Sequence, residues 1–292
     1  MPVILPKRLF GILGQPLAQS LSPLLHNWGF ARTGFAGAYF AWEKNSGDLP
    51  DFFRTVRGLP ISGLSVTIPH KQAVMPFLDG LTDRARELGA VNTIFWSGNK
   101  LLGENTDVDG FLAPLARRKT PLPSTALVLG AGGACRAALA GLNQLGIPRV
   151  YVAARKLDKA AVLAHDFGCL AVPWEEREHV LDALDSCLIV NATPLGMKGA
   201  NLGVSPLSEE SLAALARRPA NGNRPSVVYD LVYAPRRTRL VLDALDNGLE
   251  TVDGLAFFVA QGLMQYRIWT GLSLPFDAAF ALAAKALEEK EA

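Results

Sequence analysis

Residues 125–142 read TALVLGAGGACRAALAGL. Positions 126–129 are all apolar, so the strand they form has no face for water and belongs inside a sheet covered on both sides. A glycine turn follows at once. Gly130 permits the tight turn, and Gly132 lets the backbone approach a pyrophosphate. Gly133 and Ala134 lead into a helix whose first turn offers free N–H groups and a partial positive charge. Cys135 stands where a third glycine is usual and is small enough for close helix packing. A tight turn without a ligand would account for the glycines alone. The order strand, glycine turn, helix, strand points to a dinucleotide site.

The next strand indicates which dinucleotide. About twenty residues past the glycines, an NAD enzyme places an acid on the ribose 2′-hydroxyl. Here the strand at 149–153 runs into Ala154-Arg155-Lys156, two cations and no acid. A 2′-phosphate suits them, since arginine can bind it bidentately. NADP is therefore the expected cofactor. Asp158 is the nearest acid, and it falls in the following helix.

Further apolar strands are expected at 188–191 and 227–231, with a loop at 198–206. Strands alternating with helices imply a parallel sheet. Upstream, the charged, proline-rich segment 117–124 (RRKTPLPS) reads as a linker. Before it, strands are expected at 9–13, 38–42, 63–67, 91–96 and 100–103, the last two joined by a hairpin turn at Ser97-Gly98-Asn99. Ser22 is the expected N-cap of a helix reaching Thr33, with Pro23 in its first turn. The end of the chain reads as two helices, 255–270 and 276–289.

The chain has 292 residues, which suggests two domains. With 49% hydrophobic and 19% charged residues it is a globular α/β protein, not a disordered one. A net charge of +2 argues against nucleic acid as the main partner. Cys135, Cys169 and Cys187 are widely spaced and form no C-x-x-C, so neither disulfides nor structural zinc are expected. The opening MPVILPKRLFGILG lacks the pattern of a signal peptide, and no apolar run reaches the ~20 residues of a membrane helix. A cytoplasmic protein with no membrane partner is the expectation.

The first third carries polar clusters at strand ends and helix starts, where an α/β sheet holds its site. They are Ser20 and Ser22; Thr67, His70 and Lys71 around Pro69; Asn92 and Thr93; and Asn105-Thr106-Asp107. Moving a hydride to or from an alcohol carbon needs a group that handles the hydroxyl proton. A lysine oriented by a carboxylate can do this. Singly, each residue has a plainer reading: Ser22 as a cap, Lys71 as a solvated lysine, Asp107 as a turn former.

Together these residues resemble the shikimate dehydrogenases. Gly11-Ile-Leu-Gly-Gln-Pro-Leu through Ser20-Leu-Ser-Pro and His26-Asn27 looks like the family's opening motif. Val66-Thr-Ile-Pro-His-Lys71, Gly89-Ala-Val-Asn-Thr93 and Asn105-Thr-Asp107 look like the next three. Gly130-Ala-Gly-Gly-Ala134 with Arg136-Ala137, Asn191-Ala-Thr-Pro-Leu-Gly-Met197 and Tyr233-Ala-Pro-x-x-Thr238 follow in the family's order.

The resemblance implies NADPH-dependent reduction of 3-dehydroshikimate to shikimate, without a metal. It implies Lys71 and Asp107 as the catalytic pair. Ser20 and Ser22 would bind the substrate carboxylate, and Thr67, Asn92, Asp107, Tyr233 and Gln261 its hydroxyls and ring. Gly130, Ala131, Gly132, Gly133, Ala134, Ala154, Arg155, Lys156, Thr193, Leu195, Val232 and Gly254 would line the cofactor. It further implies a substrate domain of residues 1–115 and 254–292, to which the last helices return, and a Rossmann-type NADP domain of residues 116–253. Family members occur as monomers and homodimers.

The chain departs from the family pattern at Gln19 (usually histidine), Ser65 (usually asparagine), Ala154 and Lys156 in the usual Asn-Arg-Thr, and Phe257-Phe258 (usually Met-Leu). Two other readings therefore stand beside the first: a quinate/shikimate dehydrogenase with broader substrate or NAD use, and a non-catalytic NADP-binding regulator.

Overall fold

The computed structural model describes residues 5–199, 201–218 and 224–291. They form two compact units, Met1–Asp107 with Val259–Ala286, and Val108–Phe258 with Leu287–Ala292.

In the first unit the elements are β1 (Arg8–Gly14), α1 (Ser22–Thr33), β2 (Gly37–Glu43), α2 (Leu49–Gly58), β3 (Ile61–Val66), β4 (Gly80–Leu81), α3 (Asp83–Leu88), β5 (Thr93–Ser97) and β6 (Lys100–Glu104). The sheet order is β2-β1-β3-β5-β6-β4. β1 lies parallel to β2 and β3, while β3, β5 and β6 alternate in direction. The chain therefore leaves β1, β3 and β6, and enters β5, at one end of the sheet. Along β1, Phe10 and Ile12 face one core and Leu13 the other. Alternation with both faces buried is why this strand reads as continuously apolar.

The expected helix 22–33 forms, but Ser22 is not its cap. Leu21 holds the N-cap position in helical geometry without a side-chain bond, and Ser22 is the first helical residue. The Ser22 N–H donates to Ser20 Oγ at 3.3 Å, so the hydroxyl meeting the helix start comes from two residues upstream. Leu21 is 2% exposed, and its burial sets how the chain enters α1.

α4 (Asp107–Ala116) leads into the second unit. There follow β7 (Thr125–Leu129), α5 (Gly133–Gln144), β8 (Arg149–Ala154), α6 (Leu157–Phe167), β9 (Leu170–Pro173), α7 (Arg177–Asp182), β10 (Leu188–Asn191), α8 (Glu209–Ala216), β11 (Val227–Asp230), α9 (Arg239–Asp246) and β12 (Glu250–Val252). All six strands are parallel, in the order β12-β11-β10-β7-β8-β9. The chain runs outward from β7 to β9, then returns to the other side of β7 at β10. That reversal makes a crevice at the carboxyl ends of β7 and β10, the usual place for a ligand in such a sheet. Val128, Val190 and Tyr229 pack on one face, and Leu127, Ile189 and Val228 on the other. No helix or strand occupies the described part of the expected loop 198–206; position 200 lies outside the described residues.

The chain ends in α10 (Gly254–Thr270) and α11 (Phe276–Glu291). From Val259 onward α10 belongs to the first unit. Its Trp269 Nε1 donates to Ile94 O at 3.0 Å, and its Tyr266 hydroxyl donates to Gly29 O at 3.1 Å.

Candidate active site

Lys71 follows β3 in the turn Thr67-Ile-Pro-His-Lys, and Asp107 opens α4. Main-chain bonds tie this end of the sheet together. Val91 N–H donates to Lys71 O at 2.7 Å, Val66 N–H to Asn92 O at 2.7 Å, and Asn92 N–H to Glu104 O at 3.1 Å. Lys71 Nζ donates to Asp107 Oδ2 at 2.5 Å. Asp107 is 2% exposed, so its charge depends on its partners, whereas the Lys71 side chain keeps 15% exposure.

The second partner is Asn92. Its Oδ1 accepts from Thr106 N–H at 2.8 Å and Thr93 Oγ1 at 2.7 Å. Its Nδ2 is thereby turned to Asp107 Oδ1 at 2.7 Å, with Gln261 Oε1 at 3.4 Å. Thr106 Oγ1 donates to the Gln261 carbonyl at 3.1 Å. Lys71, Asn92, Asp107 and Gln261 are thus one bonded group. Asn105 supports it, since its Oδ1 accepts from Asp107 N–H at 2.9 Å and its Nδ2 donates to Ala90 O at 2.9 Å.

Ser20, Ser22 and Thr67 stand at the same end of the sheet but are held separately. Ser22 is buried and Ser20 half-buried; Thr67 N–H donates to Leu13 O at 2.9 Å. His70 is fully buried with its Nε2 2.7 Å from Lys44 O, so it braces the turn. Tyr233 belongs to the second unit, where its ring stacks on Phe258 at 4.6 Å.

The glycine turn sits at the reversal point of the second sheet. Gly130 has φ +122°, and a Cβ there would lie 2.9 Å from Ala192 O, beside β10. Gly132 caps α5 without a side-chain bond, a Cβ on it would meet nothing, and the first turn of α5 holds no acid. Open space before uncapped amides fits a pyrophosphate. Ala154 ends β8 buried, while Arg155 and Lys156 are exposed, with no ion pair among the described residues. A phosphate would find both guanidinium and ammonium available. Asp158 lies in the first turn of α6.

Asp230 reads in the sequence only as a position within the strand 227–231, yet it ends β11 and organises this site. Its Oδ1 accepts from Asn191 Nδ2 and from Val232 N–H, both at 2.9 Å; its Oδ2 accepts from Thr238 Oγ1 at 2.6 Å. Asn191 Oδ1 in turn accepts from Thr193 N–H and Oγ1, and its Nδ2 donates to Leu195 O. A carboxylate closing the apolar run Val227-Val-Tyr-Asp230 was the available signal. Gly254 starts α10 against this segment, where a Cβ would lie 2.4 Å from Val232 O.

Burial pushes the Asp230 carboxyl up to about 6, against the lowering effect of its three donors. The native state therefore holds this proton more tightly than the unfolded chain. The resulting stabilisation is complete below pH 3.8 and gone above about 6. Relative to Asp230→Asn, which does not titrate, the wild-type chain should gain ~2 kcal/mol on going from pH 7.5 to pH 4. Chemical denaturation of both at the two pH values measures this, and a difference independent of pH would refute it.

Residues 12–94 match the family pattern described as the shikimate dehydrogenase substrate binding domain. A relative from Oleidesulfovibrio alaskensis, named shikimate dehydrogenase (NADP(+)), is 49% identical over 283 residues, 97% of each chain. This chain belongs to the shikimate dehydrogenase family. Solved structures agree with that membership. Shikimate 5-dehydrogenase from Thermus thermophilus, in complex with NADP(H) and shikimate, is 36% identical with a TM-score of 0.81, covering 96% of this chain and 100% of that one. Quinate dehydrogenase from Corynebacterium glutamicum, in complex with NAD, is 29% identical with a TM-score of 0.79, covering 94% and 98%.

Within the shikimate dehydrogenase family, the departures of this chain now have positions. Gln19 is exposed. Ser65 is buried and bonded on both sides, accepting from the Tyr39 hydroxyl at 2.6 Å and donating to Gln265 Oε1 at 2.6 Å. Phe257 packs on the core of the second unit and Phe258 on Tyr233, so both add bulk there. Among the described residues no three His, Cys, Asp or Glu side chains gather as metal ligands, and no helix is long and apolar enough to cross a membrane.

Proposed function

We propose that the protein reduces 3-dehydroshikimate to shikimate, reversibly, with NADPH, in the biosynthesis of aromatic amino acids in the cytoplasm. The observation that carries this is the pairing of partly exposed Lys71 with buried Asp107, braced by Asn92, in a chain that matches NADP-dependent shikimate dehydrogenases along nearly its whole length. Residues 1–115 and 254–292 form the substrate domain, and 116–253 the NADP domain. The protein works as a monomer or homodimer on small molecules.

NADPH, when bound, would supply the hydride. Gly130, Ala131, Gly132, Gly133 and Ala134 would receive its pyrophosphate, Ala154, Arg155 and Lys156 its 2′-phosphate, and Thr193, Leu195, Val232 and Gly254 would line the rest of the cofactor. Ser20 and Ser22 hold the substrate carboxylate. Thr67, Asn92, Asp107, Tyr233 and Gln261 hold its hydroxyls and ring. Lys71 Nζ has three donor positions, and Asp107 takes one. Another faces the substrate oxygen and gives it a proton as charge develops there; in the reverse direction it takes that proton back. Partial exposure of Lys71 lets solvent restore the proton.

The likeness to a quinate dehydrogenase bound to NAD favours one second reading, a broader quinate/shikimate enzyme. Steady-state rates with shikimate and quinate, each with NADP and NAD, separate the two. The expected outcome is the highest kcat/KM for shikimate with NADP. A higher value for quinate with NAD would reverse the assignment.

A further inference from the structure

Gln261 and Gln265 lie one turn apart on α10 and share a helix face. Gln261 meets Asn92 directly. Gln265, 2% exposed, meets it from behind: its Nε2 donates to the Asn92 carbonyl at 2.9 Å. That carbonyl also accepts from Val66 N–H, so both of its lone pairs are used.

An amide side chain can present either its oxygen or its nitrogen. Here the acceptor-only Asn92 carbonyl and a hydroxyl relay select the same orientation. The Tyr39 hydroxyl gives its single proton to Ser65 Oγ, so the Ser65 proton is directed to Gln265 Oε1. With its oxygen engaged, Gln265 turns its NH₂ to Asn92. Tyr39 is itself clamped. Its main chain pairs with the Asn27 amide through two 2.9 Å bonds, and its ring stacks on His26 at 4.5 Å. Tyr39, Ser65 and Gln265 are all buried.

We propose that Gln265, aimed by the Tyr39–Ser65 relay, is a positioning residue for Asn92, and through it sets how Asp107 and the substrate hydroxyls are held. This rests on the shikimate reading above. Reversal of the Gln265 amide would set its oxygen against the Asn92 oxygen, and loss of the amide would free one side of the Asn92 backbone. Either would shift the side-chain NH₂ that meets Asp107.

The test uses steady-state kinetics and thermal melts of the full chain and three variants: Gln265→Met, Tyr39→Phe and the double variant. Gln265→Met keeps length and bulk but removes both bonds. Its kcat/KM for shikimate should fall about tenfold, the effect of one buried hydrogen bond, while KM for NADP stays within about twofold. Tyr39→Phe releases the direction of the relay and should cause a smaller loss of the same selective kind. The double variant should be no worse than Gln265→Met, because both act through one amide. A merely structural role would lower the melting temperature and leave the shikimate-specific term alone. Gln265→Met with wild-type kcat/KM, equal changes toward both substrates, or additive losses in the double variant would each overturn the proposal. Should Gln265→Met fail to fold, Tyr39→Phe decides: wild-type kinetics there overturn the proposal, and a selective shikimate loss supports it. Absence of shikimate turnover in the wild-type protein would overturn the functional reading and this inference with it.

Discussion

Lys71→Met should retain NADP binding and lose turnover by about 10³-fold, within the range expected for removal of a positioned proton donor. Methionine preserves most of the side-chain length, so the turn after β3 keeps its packing. Its thioether cannot donate to Asp107 or to a substrate oxygen. Asp107, 2% exposed, would then rely on Asn92 alone, and breaking a buried pair costs several kcal/mol. Stability should therefore fall too, which separates two effects. In Lys71→Met with Asp107→Asn the uncompensated charge is gone, so the melting temperature should recover while turnover does not. Rates, an NADP titration and thermal melts on both variants check this. Turnover within tenfold of wild type in Lys71→Met would remove this lysine from the mechanism. Complete absence of turnover in the wild-type chain would instead favour the regulatory reading.

Replacing both Arg155 and Lys156 with alanine should weaken NADP binding by about 10²-fold and leave NAD binding nearly unchanged. Two charge-assisted hydrogen bonds to a phosphate account for a loss of that size. Both side chains are exposed at the start of α6, with no ion pair among the described residues, so the fold has no need of them. Equal weakening of NADP and NAD in a binding titration would show that these cations do not read the 2′-phosphate. A loss of melting temperature without cofactor would mean that they hold the loop instead.

The second sheet was the more legible half of the chain. Its central strands are buried on both faces, and such strands announce themselves as unbroken apolar runs: 126–129 and 188–191 were each placed within a residue of the observed element. β9 and β12 escaped notice because they are short edge strands with half-exposed positions, where hydrophobicity no longer marks the strand. α2 was missed although its apolar positions Leu49, Phe52, Phe53 and Val56 follow a helical period. Charged residues between them, and Pro50 near its start, interrupt the apolar run. From the residues alone, Lys71, Asn92 and Asp107 read as separate polar residues at element ends, and only the family resemblance pairs Lys71 with Asp107. That they are one bonded group was invisible, because it depends on β3, β5 and β6 lying side by side. Gln265 and Asp230 were missed as functional positions for a related reason. Each sits in an apolar stretch, and its importance lies in groups far away in sequence.

The first unit draws Gln261, Gln265, Tyr266 and Trp269 from α10, more than a hundred residues after its last strand. This order has a consequence for synthesis. At ~5–20 residues per second, a ribosome finishes β6 many seconds before α10 emerges. During that interval Ile94 O lacks its Trp269 donor, Gly29 O has only the Thr33 hydroxyl as a side-chain donor, and Phe10, Phe30 and Tyr39 lack the aromatic cover that completes their core. The second unit has all six of its strands before α10 is made and can mature first. The nascent N-terminal half is thus the interval of greatest exposure for this chain, and the arrival of α10 both closes that core and completes the Asn92 network.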